Sequence, residues 1–458
     1  MMNAGAVVIG ALAATLAGVA VSHGQSLTVG DLVVGSRQFG SLYTLPSTTG
    51  LFNGLVTGPD MQVSTLPVRG AGPVLPTANG HLALLCLPGG RLVARPSSNT
   101  AWGVYEIAPA TGDRTLIPGT NGPAWATGGD MVALDDASLL AIVDDFVAAG
   151  ESNGRIVRLD LTTGNWTTIS GGTVGNGVVM HRPRSLARVD LNTVAVVEFG
   201  PVTGSLPGLL VYLVDVPTGN RTVLSTLGSV TASRYTVTGG VRSATRAAVP
   251  ARGTGPVFDG QARGLTALNG RLFAATALGT PFAGAVVEID LATGNRSLVV
   301  GTGLVGGQRV VAEPGPGSSA TMPESPTGLQ PLSPVSLVFS STFGPNRLWD
   351  LDLSTRRLKP VANFDPQILP EFQSVMRFSG LTVVPPAWCR ADVTGVGGPP
   401  ALPDGLITGD DFNAFIAAFA GTESLADVVG IGGLPPGDGL VTGDDFNAFI
   451  AAFAGGCP

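Results

Sequence analysis

Charge is scarce in this chain. Only 12% of its 458 residues are charged, about half the usual share of roughly 25%, which disfavours a helical bundle. Histidine occurs three times, as His23, His81 and His181, and no pair has metal-ligand spacing. Cysteine also occurs three times, too few for a disulfide-dense scaffold. Beyond residue 21 no apolar run approaches the roughly 20 residues of a membrane span. No basic stripe suggests a nucleic-acid partner. Glycine and proline, by contrast, number 66 and 35, a composition that suits an all-β protein with many tight turns. The length allows two or three domains.

Residues Ala4 to Val21 form an Ala/Gly-rich apolar run followed by Ser22-His-Gly-Gln-Ser26. This has the form of a secretory signal over residues 1–25, cleaved between Ala20 and Gln25, although no Lys or Arg precedes it. The expected location is secreted, extracellular or at a cell surface. Cys389 and Cys457 bracket the tail, and a bridge between them would stabilise a small domain by roughly 4 kcal/mol on chain-entropy grounds. Cys86, in the run Leu82-Ala-Leu-Leu-Cys-Leu87, reads as a buried free thiol.

Residues 27–388 repeat a strand, a turn and a second strand. Val104-Tyr-Glu-Ile-Ala-Pro-Ala-Thr-Gly-Asp-Arg-Thr115 recurs as 156–167, 211–222 and 286–297. A variant at 347–358 has Arg356 in place of the turn glycine, and a weak copy lies at 42–50. Alternating apolar residues supply the buried face, the Asp after the strand can bond turn amides, and Thr-Gly-Asn/Asp supplies the positive φ. The Asn-x-Ser/Thr triplets at Asn165, Asn220 and Asn295 fall in this turn and read as turn chemistry rather than glycan acceptors. A second pattern, as in Gly264-Leu-Thr-Ala-Leu-Asn-Gly-Arg-Leu-Phe-Ala274, looks like an inner strand pair. One hairpin per propeller blade predicts six blades, with five and seven as the neighbouring counts. These loose patterns resemble propellers of the NHL and gluconolactonase-like kind over most of 27–388. The fold class expected is mainly β: a propeller of about six blades, then a small α-helical, EF-hand-like domain at 389–458.

The tail carries a near-perfect duplication. Asp404 to Gly421 recurs as Asp438 to Gly455, differing only at Ile407 against Val441. Nine acids against one base give residues 389–458 a net charge of −8, and acids at repeated spacing suggest cation ligands. Asp404 and Gly405 fit positions five and six of an EF-hand-like loop, Leu406 seven, Thr408 nine and Asp411 twelve, with Asp392 as the upstream ligand. The second set is Asp427, Asp438, Leu440, Thr442 and Asp445. Thr408 with Asp411 makes a capping box. Phe412, Phe415, Ile416 and Phe419 form one apolar stripe, repeated by Phe446, Phe449, Ile450 and Phe453, so two helices should pack about a pseudo-twofold axis.

On these residues the tail resembles a dockerin, of the Gly-Cys-ended bacterial type. The resemblance implies calcium as cofactor and a cohesin-like domain on a scaffold or cell surface as partner. It departs in one respect: Asp392 to Asp404 and Asp427 to Asp438 are farther apart than the four residues of a dockerin loop.

For the propeller, polar residues at the starts of blades are the candidate ligand contacts: Asp130, His181, Arg182, Arg184, Arg263 and Glu324. The letters Gly150-Glu-Ser-Asn-Gly154 match a nucleophile elbow, but a strand rather than a helix is expected to follow. The reading favoured is a non-catalytic binding or structural propeller anchored by its tail. The alternative is an anchored hydrolase or lyase acting on a polysaccharide or lactone.

Overall fold

The computed structural model describes residues 31–36, 42–46, 54–57, 70–73, 75, 82–87, 90–96, 103–121, 128–147, 151–178, 180, 183–199, 209–226, 230–238, 241–257, 262–277, 284–305, 308–318, 322–323, 326–333, 335–341, 347–363, 378–383, 408–422, 426 and 441–455. Strands form sheets of antiparallel neighbours, each sheet running from an inner to an outer strand. Sheet 1 is Phe378–Val383, Asp31–Ser36, Leu42–Pro46 and Gly54–Thr57. Sheet 2 is Leu82–Cys86, Leu92–Pro96, Tyr105–Ile107 and Arg114–Leu116. Sheet 3 is Gly128–Ala133, Ser138–Val147, Glu151–Asp160 and Trp166–Ser170. Sheet 4 is Pro183–Arg188, Thr193–Phe199, Leu209–Asp215 and Arg221–Thr226. Sheet 5 is Ala262–Leu268, Arg271–Ala277, Gly284–Ile289, Arg296–Val305 and Gln308–Ala312. Sheet 6 is Pro326–Ser333, Ser336–Ser341, Arg347–Asp352 and Leu358–Asn363.

The inner strands touch in cyclic order from sheet 1 through sheet 6 and back to sheet 1, a propeller-like ring. Phe378–Val383 pairs with Asp31–Ser36, so the two ends of the region share a sheet and close the ring without a free inner edge. The expectation of about six blades is corrected: among the described residues, plain four-stranded blades number five, and the remaining sheet of the ring is enlarged to five strands. Two insertions account for the departure. Gln308–Ala312 occupies the segment between the turns at Gly294 and Arg356, and a separate hairpin, Val230–Thr238 with Val241–Val249, occupies that between Gly219 and Gly294.

The core lies between successive sheets. Along Thr193–Phe199, Val194 and Val196 pack toward sheet 3, while Ala195 and Val197 pack toward sheet 5. Alternation by two therefore buries both faces, and the strand reads as a continuous apolar run.

Each repeated hairpin is the third and fourth strand of its sheet, which makes it the outer pair except in sheet 5, where Gln308–Ala312 lies beyond it. The turn works as the residues suggest. Asp160 Oδ1 accepts from the Thr162 and Thr163 amides, and Asp352 Oδ1 from those of Ser354 and Thr355. Those bonds, with one from the Ser354 hydroxyl, hold the Asp352 pKa down at about 2. Gly112, Gly164, Gly219 and Gly294 have φ between +72° and +80°, and Arg356 takes the same left-handed conformation at +58°.

A second repeat partners the first. Gly70-Ala-Gly-Pro73, Gly175-Asn-Gly-Val178 and Gly253-Thr-Gly-Pro256 lie in the connections leading into sheets 2, 4 and 5, and each docks on the repeated hairpin of that sheet. The Arg221 amide donates to Asn176 O at 2.8 Å, and Asn220 Oδ1 accepts from the Asn176 amide at 2.8 Å. The Arg221 guanidinium donates to the carbonyls of Val174, Gly175, Val178 and Gly219 and to Ser170 Oγ of sheet 3. Arg296 does the same with Arg252, Gly255, Pro256 and Ser225 Oγ of sheet 4. A Cβ on Gly175 would sit 1.9 Å from Gly219 O, so only glycine permits the approach. Asn220 and Asn295 thus bond the docked loop through their side chains, in line with the turn-chemistry reading of those triplets.

Arg296→Ala removes this clamp and should cost about 2–4 kcal/mol, while Arg357→Ala, which removes one exposed bond to Gly317 O, should cost below about 1 kcal/mol. Urea midpoints of the two variants test the order. Arg356→Gly relieves the left-handed side chain and should raise the midpoint, by about 0.5–1 kcal/mol in free energy.

Candidate functional site

The inner strands of sheets 1, 3, 4, 5 and 6 begin with β-bulges, whereas that of sheet 2 pairs in unbroken register. In sheet 3 the register shifts between Gly128 and Met131, in sheet 4 between Pro183 and Ser185, and in sheet 5 between Ala262 and Gly264. Sheets 6 and 1 shift between Thr327 and Gln330 and across Ser379. Extra residues at a bulge bend the strand and re-aim side chains at the rim of a closed sheet assembly. Three residues selected from sequence fall at these bulges: Asp130, Arg184 and Arg263. Arg184 is exposed between buried Pro183 and buried Ser185. His181, Arg182 and Glu324 lie outside the described residues.

The three bulges are stitched together. Ser185 Oγ donates to Asp130 Oδ2 at 2.6 Å and accepts from the Leu265 amide at 3.0 Å. Sheets 3, 4 and 5 are thereby linked through one hydroxyl. Gly129 belongs to the same junction, because a Cβ there would meet Arg184 O at 2.8 Å. Asp130 keeps partial solvent contact, yet the protein packed around its carboxyl raises its pKa to about 6 by desolvation. The bonds from Ser185 Oγ and the Met131 and Leu186 amides offset only part of that rise.

Sequence reasoning missed two residues at the same end of sheet 4. Glu198 pairs with Pro183 across the inner strands and is fully buried. Tyr212 is buried beside it, and burial, then the Glu198 charge, push its phenol pKa well up. The signal was one acid ending the apolar run Val194-Ala-Val-Val-Glu198, and a buried acid without adjacent sequence charge is a site candidate. Ser185 is buried and its hydroxyl both donates and accepts, so it serves as a joint between the three sheets. Ser152 of the elbow-like letters lies within strand Glu151–Asp160 opposite Phe146, without the strand-turn-helix that motif requires. Among the described residues no group of His, Cys, Asp and Glu is placed to hold a metal ion.

The tail presents two helices, α1 (Gly409–Gly421) and α2 (Gly443–Gly455). Phe415 and Phe449 stack with ring centroids 3.8 Å apart at 3°. Phe412 with Phe453 and Phe419 with Phe446 are each 5.4 Å apart, at 56° and 55°. Matching pairs of this kind place the helices about the expected pseudo-twofold axis. The capping boxes also repeat. The Thr408 amide and hydroxyl donate to Asp411 Oδ2 at 2.8 and 3.0 Å, and those of Thr442 to Asp445 Oδ2 at 2.8 and 3.1 Å. Asp411 and Asp445 are fully buried. Asp392, Asp404, Leu406, Asp427, Asp438, Leu440, Cys389 and Cys457 lie outside the described residues. Cys86 is a buried free cysteine, and its thiol is pushed up to about 12 by burial. No described helix is long and apolar enough to cross a membrane.

No family model matches the chain, and no curated protein matches it in sequence. Among solved structures it is similar to TolB from Acinetobacter baumannii, at 13% identity over 72% of this chain and 62% of that one, with a TM-score of 0.39. The match thus spans less than two thirds of TolB. It is also similar to a candidate 6-phosphogluconolactonase from Bacteroides fragilis NCTC 9343, at 11% identity over 77% and 97% of the two chains, with a TM-score of 0.38. An oligogalacturonate lyase in complex with manganese matches at 13% identity over 75% and 86%, with a TM-score of 0.34. At these values the likeness transfers no activity, and the propeller arrangement rests on the strand order above.

Raising the Asp130 pKa from 3.8 to about 6 makes the folded state hold its proton longer than the unfolded chain does. This contribution to stability is therefore highest below pH 4 and falls as pH rises to about 6. In Asp130→Asn that part of the slope should vanish. Subtracting the urea midpoints of variant and parent from pH 4 to pH 7 measures it, and a flat difference would remove the acid from the titration.

Proposed function

We propose that this chain is a secreted, non-catalytic binding or structural propeller, held at an extracellular surface by a calcium-dependent, dockerin-like module at residues 389–458 that docks on a cohesin-like partner. The observation that carries the reading is the tail's twofold design: identical helix sequences, one Phe415–Phe449 stack and two matching capping boxes, each preceded in sequence by Asp-Gly-Leu. In this reading residues 1–25 are the export signal, the propeller spans 27–388, and Cys389 and Cys457 form a disulfide that staples a thin core. The two calcium sites take Asp392, Asp404, Leu406, Thr408 and Asp411, and Asp427, Asp438, Leu440, Thr442 and Asp445.

A second reading is an anchored hydrolase or lyase working on a polysaccharide or lactone at the inner-strand starts. Asp130 favours it, because an acid whose pKa is raised to about 6 suits proton transfer near neutral pH. The non-catalytic reading is preferred because the Ser185 hydroxyl that touches Asp130 is committed at both ends to structure.

Calorimetric titration of the whole chain with calcium should show two ions bound, and none in an Asp404→Asn/Asp438→Asn variant. An absence of heat with the parent chain would sink calcium-dependent anchoring.

A further inference from the structure

Between Asp215 and Asp259 the chain carries five arginines and no acid. Three of them, Arg234, Arg242 and Arg246, fall on the inserted hairpin Val230–Thr238 and Val241–Val249. Pairing runs without a break from Val230 opposite Val249 to Thr238 opposite Val241, leaving Gly239-Gly240 as a two-residue connection. The base is fixed to the ring. Thr226 donates its amide to Arg252 O at 3.0 Å, the Arg252 amide returns a bond to Thr226 Oγ1 at 2.6 Å, and Val249 sits in the core between sheets 3 and 4.

Beyond that base, among the described residues, no third strand joins the hairpin. Nine-residue strands at ~3.3 Å per residue make an arm about 30 Å long, and a lone two-stranded ribbon is marginal in water. The ring closes without it. Such a ribbon needs a second surface, and its charge states which kind. The register sets Arg246 opposite Ser233, Arg242 opposite Val237 and Arg234 opposite Thr245, so no acid stands opposite any of the three, and the hairpin sequence holds none to balance them.

The complementary charge is in the same chain. Residues 389–458 hold nine acids and one base, a net of −8, whereas residues 1–388 are close to neutral. Exposed Asp444 and half-buried Asp410 stand at the two helix starts. Tethering gives the acidic segment a high effective concentration at any surface of its own ring that it can reach. We propose that the hairpin Val230–Val249 is the docking surface for the chain's own acidic segment, residues 389–458.

Hydrogen exchange of the full chain, with EDTA present and at low salt, tests this independently of calcium anchoring. The amides of 230–249 should exchange about tenfold faster in an Arg234→Glu/Arg242→Glu/Arg246→Glu variant. The same loss of protection should appear in an Asp404→Asn/Asp410→Asn/Asp438→Asn/Asp444→Asn variant, whose hairpin is untouched. It should also appear in the parent at about 1 M salt, where the screening length is ~3 Å. Unchanged exchange in the tail variant and in salt would overturn the proposal, whatever the arginine variant does to folding. Protection that rises with protein concentration and ignores the tail charges would make a second copy the occupant, and would overturn it equally.

Discussion

Sheets 2, 4 and 5 depend on one kind of contact, the approach of a Gly-x-Gly connection to within bonding distance of the repeated hairpin it leads into. The contact is expensive in isolation. Burial lowers the pKa of Arg114, Arg221 and Arg296, the direction expected when a cation loses water. Carbonyl oxygens offset that loss, because a guanidinium offers five donors in a fixed fork and bonds to a charged donor are stronger than neutral ones. A chain poor in charge can therefore hold its sheets together with single arginines, each reading the backbone of a loop that no side chain obstructs.

The same contact sets the geometry of the ring. Arg221 reaches Ser170 of the preceding sheet, and Arg296 reaches Ser225. Each clamp thus fixes a connection, a hairpin and the neighbouring sheet at once. Toward the axis a second set of joints does similar work with hydroxyls: Ser185 between sheets 3, 4 and 5, and Thr382 Oγ1 accepting from the Cys86 amide between sheets 1 and 2. Outer joints use charge, and inner joints mix neutral oxygen with charge. Arg188 of sheet 4 donates to Leu134 O at the end of the first strand of sheet 3, and Arg95 of sheet 2 to Ile142 O in that same sheet. At Asp130 a carboxyl stands in the inner series and its pKa rises.

The outer hairpins were legible because their signals are local. An alternating strand, an Asp and a Thr-Gly pair occupy a dozen residues, and the chemistry is complete within them. The Gly-x-Gly partner was not legible, since it lies some forty residues upstream and its two glycines have meaning only once Arg221 or Arg296 is folded against them. Ring closure through Phe378–Val383 was hidden for the same reason, being a pairing between the ends of the region. The expected blade count erred because the hairpins repeat while what is inserted between them does not. At the inner-strand starts, Asp130, Arg184 and Arg263 were selected from their position before a strand, and they fall at the register shifts. Glu198 was not, because its acid ends a run that reads as core, and Tyr212 reads as an ordinary strand aromatic.

In the tail the helix pattern fixed both elements and their mutual packing, since the Phe stripe and the capping residues are all within one repeat. Its consequence reaches into the loops. Asp411 and Asp445 each give one carboxylate oxygen to the amide and hydroxyl of the cap residue, and these are the residues that close the proposed cation shells. Helix start and proposed cation shell therefore share a single side chain in each half. Any ion held by that side chain acts on the helix start as well as on the loop, and the Phe415–Phe449 stack passes the effect to the other half. A core this small has few other contacts to absorb a change, so the two loops and two helices should order as one unit rather than as two independent sites.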